Sequence, residues 1–226
     1  MSIRLEAVGV DVDGTTILDD VTADLDVRRI AVIGANGSGK STFARVLAGL
    51  IPATRGTVSV HGIDPQREKR AIRDLIGFVF TNPDAQILMP TVAEDVALSL
   101  RGAGLSKAET ADRVRAELSR FGLADHADQS AYSLSGGQKQ LLALVSVLIR
   151  RPRLVIADEP TTLLDLGNAR RMAELLLSDV DAQLVVLTHD LDLAARCDVA
   201  LRFDAGRLVA VGEPAGVIDE YRASCA

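Results

Sequence analysis

The sequence is poor in several respects, and each shortage excludes a class of protein. Cysteine occurs only at Cys197 and Cys225, with neither disulfide-framework nor metal-ligand spacing, so both thiols are expected to be packing residues in a reducing compartment. The longest apolar run near the middle, Leu141 to Ile149, is interrupted by Ser146 and falls far short of the ~20 residues that span a bilayer. The opening MSIRLEAVGVDVDG alternates apolar and charged residues and lacks the apolar stretch and cleavage site of a secretory signal, which points to the cytoplasm. Positive charge is in deficit: 25 Lys and Arg face 31 Asp and Glu, a net charge of −6. The basic clusters, Arg28-Arg29, Arg67 to Arg70 and Arg150 to Arg153, are short, whereas a nucleic-acid groove needs a basic stripe; nucleic acid is not an expected partner. Aromatic residues make up 3 % of the chain, with no tryptophan, and none precedes Phe43. The rest, 48 % hydrophobic and 25 % charged over 226 residues, is a globular composition able to bury roughly 70–75 % of its unfolded surface.

Apolar and polar residues alternate over 3–12 and 17–27 around Asp13-Gly14, which predicts an antiparallel hairpin. A short apolar strand at 29–33 runs into a glycine loop, and 41–50 has helical spacing that ends before Pro52. Further strands are predicted at 56–60 and 76–80, with a charged helix at 66–75 between them. Helices dominate from 85 to 150: 91–101, 106–121 with the capping box of Ser106 and Glu109, and a strongly apolar helix at 141–150. A strand at 154–157, a helix at 167–179, a strand at 183–188 and a hairpin at 199–211 turning at Ala205-Gly206 restore the alternation. The expectation is one α/β domain over 1–226, its core built from 1–85 and 153–226 with an N-terminal antiparallel β subdomain, and an α-helical subdomain inserted at 86–152.

Gly34-Ala35-Asn36-Gly37-Ser38-Gly39-Lys40-Ser41 fits G-x-x-x-x-G-K-[ST] between a strand and a helix. Glycines leave backbone N–H groups free to turn onto phosphate oxygens, Lys40 reaches the β- and γ-phosphates, and Ser41 offers Mg²⁺ a hydroxyl. Asp158 closes an apolar strand, the position from which a carboxylate holds Mg²⁺, and Glu159 beside it is placed to polarise an attacking water. His189 closes the strand at 183–188, where an imidazole can orient a γ-phosphate. Ser135-Gly136-Gly137-Gln138 precedes an apolar helix and forms a second phosphate site. A nucleotide has one γ-phosphate and this chain has two loops suited to it, so the economical arrangement is a dimer whose subunits clasp the same ATP from Lys40 and from Ser135.

With these residues in view, the sequence resembles the ATP-binding cassette ATPases over essentially its whole length. GANGSGKST, including Thr42, resembles the family's phosphate loop, LSGGQ its signature, LVIADEP its Mg²⁺ strand with the catalytic glutamate, and THD its histidine switch. Thr162-Leu163-Leu164-Asp165 resembles the loop where two subunits meet. The resemblance implies a P-loop fold, ATP and Mg²⁺ as ligands, head-to-tail closure of two cassettes, and transmission of that motion to membrane subunits.

Two positions depart from the pattern. The family's glutamine after the strand at 77–80 is Thr81 here; its hydroxyl is the expected Mg²⁺ contact, ahead of a Gln86 that folds back. The ring that stacks adenine near the first hairpin is absent, leaving Val10 or Val12 as an apolar contact or a ring from elsewhere. Asn82-Pro83-Asp84-Ala85-Gln86 and the segment Met89 to Val96 resemble the cassettes of energy-coupling-factor importers of vitamins, cobalt or nickel. In such a setting Asp84, Glu94 and Asp95 are expected to receive a partner's arginines, and Ile87, Leu88 and Met89 to offer an apolar groove. The implied partners are a second cassette, a transmembrane coupling subunit and a substrate-binding membrane subunit, at the cytoplasmic face of the membrane; Thr81 and the 162–165 segment favour biotin over cobalt. A soluble cassette ATPase acting on another machine, and a regulatory module without turnover, are the alternatives.

Overall fold

A computed structural model of the chain describes residues 2–225. The alternation at the N-terminus folds as expected: β1 (Ile3–Val12) and β2 (Thr15–Leu25) pair antiparallel around the Asp13-Gly14 turn, and β4 (Arg55–Val60) completes a three-stranded sheet on the other edge of β1. The second sheet has six strands in the order β5 (Ile76–Val79), β6 (Leu154–Asp158), β7 (Gln183–Leu187), β3 (Arg29–Ile33), β8 (Val199–Asp204) and β9 (Arg207–Gly212). Its strands from β5 to β8 are parallel and only β9 is antiparallel. Every residue of β3, β6 and β7 is buried, which is why these strands read as continuous apolar runs rather than alternating ones.

One apolar core joins the small sheet to α1 (Lys40–Leu47) and one face of the large sheet, around Phe43 and Phe203. A second packs the opposite face against α6 (Leu166–Glu174) and against α7 (Leu191–Ala194) and α8 (Pro214–Ser224), two helices that periodicity did not reveal. A third lies among α3 (Val92–Leu98), α4 (Lys107–Arg120) and α5 (Gly136–Leu148). The short helix α2 (Lys69–Leu75) precedes β5. Among the described residues no helix is long and apolar enough to cross a membrane.

Three differences from the sequence reading have physical causes. Helix α5 begins at Gly136 rather than near 141, because Ser135 and Gln138 close a reciprocal capping box that fixes the first turn despite two glycines. Helix α6 stops at Glu174 and continues as a π turn over 175–179, held by the buried Arg29: its Nη2 donates to Leu177 O within the turn at 2.8 Å and to Val180 O just after it at 2.9 Å. Cys197 is buried in the second core, where burial pushes its thiol up to about 12, but Cys225 is exposed and is not a packing residue.

Candidate active site

The parallel sheet brings four strand ends to one edge. The phosphate loop follows β3, Asp158 ends β6, His189 follows β7, and Thr81 follows β5, so residues spread over 155 positions meet beside the first turn of α1. Two glycines are demanded by the loop itself. Gly34 has φ 144°, and a Cβ there would stand 2.2 Å from the carbonyl oxygen of Phe203; Gly39 has φ 102° and would strike Leu18 Cδ2 at 2.7 Å. The loop is thereby pressed against β8 and β2, with Ala35, Asn36 and Gly37 left exposed at its tip.

Lys40 is 7 % exposed, and its Nζ donates to the carbonyls of Gly34 at 2.6 Å and Ala35 at 2.9 Å, which curls the loop around the ammonium. Burial lowers its pKa, opposed by Glu159 and Asp158. Ser41 Oγ donates to Asp158 Oδ1 at 3.1 Å, and Thr81 Oγ1 donates to the carbonyl of Asp158 at 2.9 Å. Burial raises the pKa of Asp158, opposed by the Ser41 bond and by Arg45 and Lys40. A buried carboxylate and a hydroxyl converging on one point are hard oxygen donors of the kind Mg²⁺ accepts, so the residues present fit that ion. Thr42, half-buried, follows in the same turn of α1.

Glu159 adopts φ 52°, a left-handed conformation that costs a non-glycine residue of order 1–3 kcal/mol and is met where surrounding structure enforces it. Here the enforcement is visible: its Oε2 accepts from Thr162 Oγ1 at 3.2 Å and from the backbone N–H of His189 at 3.3 Å. Nε2 of His189 lies 3.0 Å from Oε1 of Glu159, without the alignment of a hydrogen bond. Among the described residues four buried side-chain polar atoms lack a hydrogen-bond partner, and two of them, Ser38 Oγ and Glu159 Oε1, are in this site. Native interiors seldom tolerate such atoms away from a ligand.

The second loop lies elsewhere. Ser135 is exposed and caps α5: its Oγ accepts from Gln138 N at 3.3 Å while its own N–H donates to Gln138 Oε1 at 2.9 Å. Gln138 Nε2 is 3.0 Å from His126 Nε2, and a Cβ on Gly137 would meet Asn168 at 2.7 Å; Gly136 faces open space. Asn168 is in turn held by Asp165, the N-cap of α6, at 2.6 Å. Sequence reading missed His126 and Asn168; the Asp165-x-x-Asn168 spacing at a helix start was the available signal.

The expectation for the segment after Thr81 needs correction. Asp95 is 4 % exposed and accepts from the N–H groups of Leu88 at 2.8 Å and Met89 at 3.0 Å and from Ser146 Oγ at 3.2 Å, so it shapes a turn and receives nothing from outside. Asp84 pairs with Lys139 at 2.7 Å, and Glu94 closes a capping box with Thr91. Ile87 is buried, so of the three apolar residues Leu88, 66 % exposed, is the one presented outward, while Asp84 and Glu94 stay on the surface. Gln86 folds back, its Oε1 accepting from Phe80 N at 3.2 Å and its Nε2 donating to Ala143 O at 3.2 Å, a bracing role that leaves Thr81 as the hydroxyl beside Asp158. Near the phosphate loop, Val10 is buried and Val12 is 47 % exposed, so only Val12 is open to a ligand.

A strand running into this glycine loop, with Lys40 and Ser41 opening a helix beside the buried Asp158, places the chain in the class of P-loop nucleotide hydrolases. A family profile described as "ABC transporter" matches residues 18–162. The chain is 44 % identical over 222 residues to the biotin transport ATP-binding protein BioM of Rhizobium etli, covering 98 % of each chain. It is 42 % identical over 199 residues to the energy-coupling factor transporter ATP-binding protein EcfA1 of Symbiobacterium thermophilum, covering 84 % of this chain and 69 % of the other. Among solved structures, the dimeric post-hydrolysis state of the ATP-binding cassette MJ0796 bound to ADP and Pi superposes with a TM-score of 0.82 at 27 % identity, over 94 % of this chain and 98 % of that one. The chain belongs to the ABC transporter family and is an ATPase of that family.

Proposed function

We propose that the chain is the ATP-binding and hydrolysing subunit of an energy-coupling-factor type importer, peripheral at the cytoplasmic face of the membrane. It pairs with a second cassette, a second copy being the simplest partner, and engages a transmembrane coupling subunit and a substrate-binding membrane subunit. Its cargo is a vitamin, biotin first, ahead of a transition metal ion, a choice supported by the likeness to BioM.

In this reading Gly34, Asn36, Gly37, Ser38, Gly39 and Lys40 cradle the triphosphate, and Ser41, Asp158 and Thr81 hold Mg²⁺, which when bound neutralises phosphate charge. Glu159 takes a proton from the water that attacks the γ-phosphorus, the bond to the bridging oxygen breaks, and ADP and Pi form. His189 orients the γ-phosphate, and Ser135, Gly136, Gly137 and Gln138 of the other cassette close over it.

The observation that carries the transport reading is a cleft of about 460 Å³ next to this machinery. It is lined by Leu50, Phe78, Phe80, Gln86, Leu88 and Leu98, so a partner segment seated there touches the strand that leads to Thr81. Tagging the protein in its own host, solubilising membranes in mild detergent and identifying what copurifies tests the reading. It predicts a polytopic membrane subunit and a small substrate-binding membrane protein whose ligand names the cargo; soluble partners alone would favour the non-transport alternative.

A further inference from the structure

A nucleotide base is a flat ring, and binding sites commonly give it an aromatic face to lie on, a contact that tolerates any base because every base has a π-face. Next to the phosphate loop this chain offers none. Phe43 and Phe203 pack on each other with ring centroids 5.0 Å apart and are 0 % and 1 % exposed, and the flanking hairpin contributes only Val12. Elsewhere Phe121 is buried, and Phe78, Phe80 and Tyr221 are half-buried. Among the phenylalanines and tyrosines of the described residues only Tyr132 is exposed, at 57 %.

Its position is not that of a stray surface residue. Tyr132 lies three residues before Ser135, in a short 3-10 turn pinned on both sides. Before it, Ala131 is fully buried and donates its N–H to Pro90 O at 2.9 Å; after it, Ser133 bonds Ser130 O through both N–H, at 3.0 Å, and Oγ, at 2.7 Å. Leu134 is buried in turn, which anchors the chain again before the α5 N-terminus. The turn thus holds one ring outward on a rigid mount beside the second phosphate loop. Three residues of chain span at most about 10 Å, so Tyr132 and the Ser135 loop lie close enough for one bound nucleotide to reach both.

We propose that Tyr132 of one cassette is the platform for the base of the ATP held by Lys40 of the other. The inference rests on the paired-cassette reading above. It makes base recognition a property of the closed pair: a single cassette grips the triphosphate, and the adenine is read only on closure.

Because the chain has no tryptophan, Tyr132→Trp gives a single indole at the proposed contact. Placed in the full chain with Glu159→Gln to retain ATP, its fluorescence is expected to change on adding ATP with the same protein-concentration dependence as dimer formation followed by light scattering. A dimer that forms without any change in the indole overturns the proposal, as does a change that is independent of protein concentration. No ATP-dependent dimer at all overturns the paired-cassette reading, and the proposal falls with it. In a second measurement, Tyr132→Ala lowers the preference for ATP over base-free ribose triphosphate, as the ratio of their kcat/KM values, about 5- to 150-fold, while Tyr132→Phe keeps it. An unchanged preference in Tyr132→Ala contradicts the assignment.

Discussion

The hydroxyl of Ser41 donates to Oδ1 of Asp158 at 3.1 Å, joining the first turn of α1 to the end of β6 across 117 residues. Asp158 is 4 % exposed, and a carboxylate so buried is costly unless hydrogen bonds and cations surround it. Ser41 is therefore both a proposed metal ligand and the group that steadies the other one. Ser41→Ala is expected to raise the Mg²⁺ concentration for half-maximal ATP turnover about tenfold or more. A Mg²⁺ titration of the activity, together with a thermal melt showing the variant folded, checks this; an unchanged titration removes Ser41 from the metal site.

Among the described residues Lys40 is the basic side chain curled into the phosphate loop, donating two short bonds to loop carbonyls that it can redirect to phosphate oxygens. Replacing it by alanine removes two charge-assisted bonds of ~1.5–3 kcal/mol each, so ATP affinity is expected to fall at least about 100-fold. Calorimetric titration measures it directly, and near-normal affinity contradicts the cradle assignment.

Asp95 tests the corrected account of the partner-facing segment. Asp95→Ala removes the acceptor of the part-buried N–H groups of Leu88 and Met89 and of Ser146 Oγ, and should lower the urea midpoint by the equivalent of ~1–3 kcal/mol in total, whereas Asp95→Asn keeps an acceptor and loses less. Equal stability of all three proteins would return Asp95 to the role of a free surface acid.

Away from the site, His61 predicts a pH effect. Its Nε2 meets Gln183 Oε1 at 2.7 Å; burial lowers its pKa below the ordinary 6.5, the Gln183 bond opposes this, and Arg153 adds to it. The unfolded chain then takes up the proton first as pH falls, so the contribution to stability is complete above about pH 6.5 and is lost progressively below it. Urea unfolding between pH 5 and 7.5 should show a shallower decline for His61→Gln; an equal slope assigns the decline to other groups.

The site was legible where its chemistry is contiguous in sequence. The phosphate loop, Asp158-Glu159 and His189 all sit at ends of apolar strands, so finding the strands placed the residues, and the parallel order then brought them to one edge. Contacts between distant residues were not legible. Asp95 reads as one acid in a polar helix start, and only Ser146, 51 positions on, shows that it is buried. Helix α5 was read five residues late because glycines at 136 and 137 hide its periodicity, although Ser135 and Gln138 carried a capping signal that Ser106 and Glu109 displayed openly. Helix α8 had its own signal in Pro214 at the first turn, obscured by a modest apolar pattern over its short length.

The account turns on Glu159, held at φ 52° by Thr162 and the backbone of His189 with one oxygen left unbonded. The most direct measurement is ATP turnover and ATP binding by Glu159→Gln, side by side with the unaltered chain. The account predicts retained ATP binding with turnover reduced at least about 100-fold, equivalent to ~2.7 kcal/mol of barrier. Turnover within a few-fold of the unaltered chain would contradict it and place the proton acceptor on another residue.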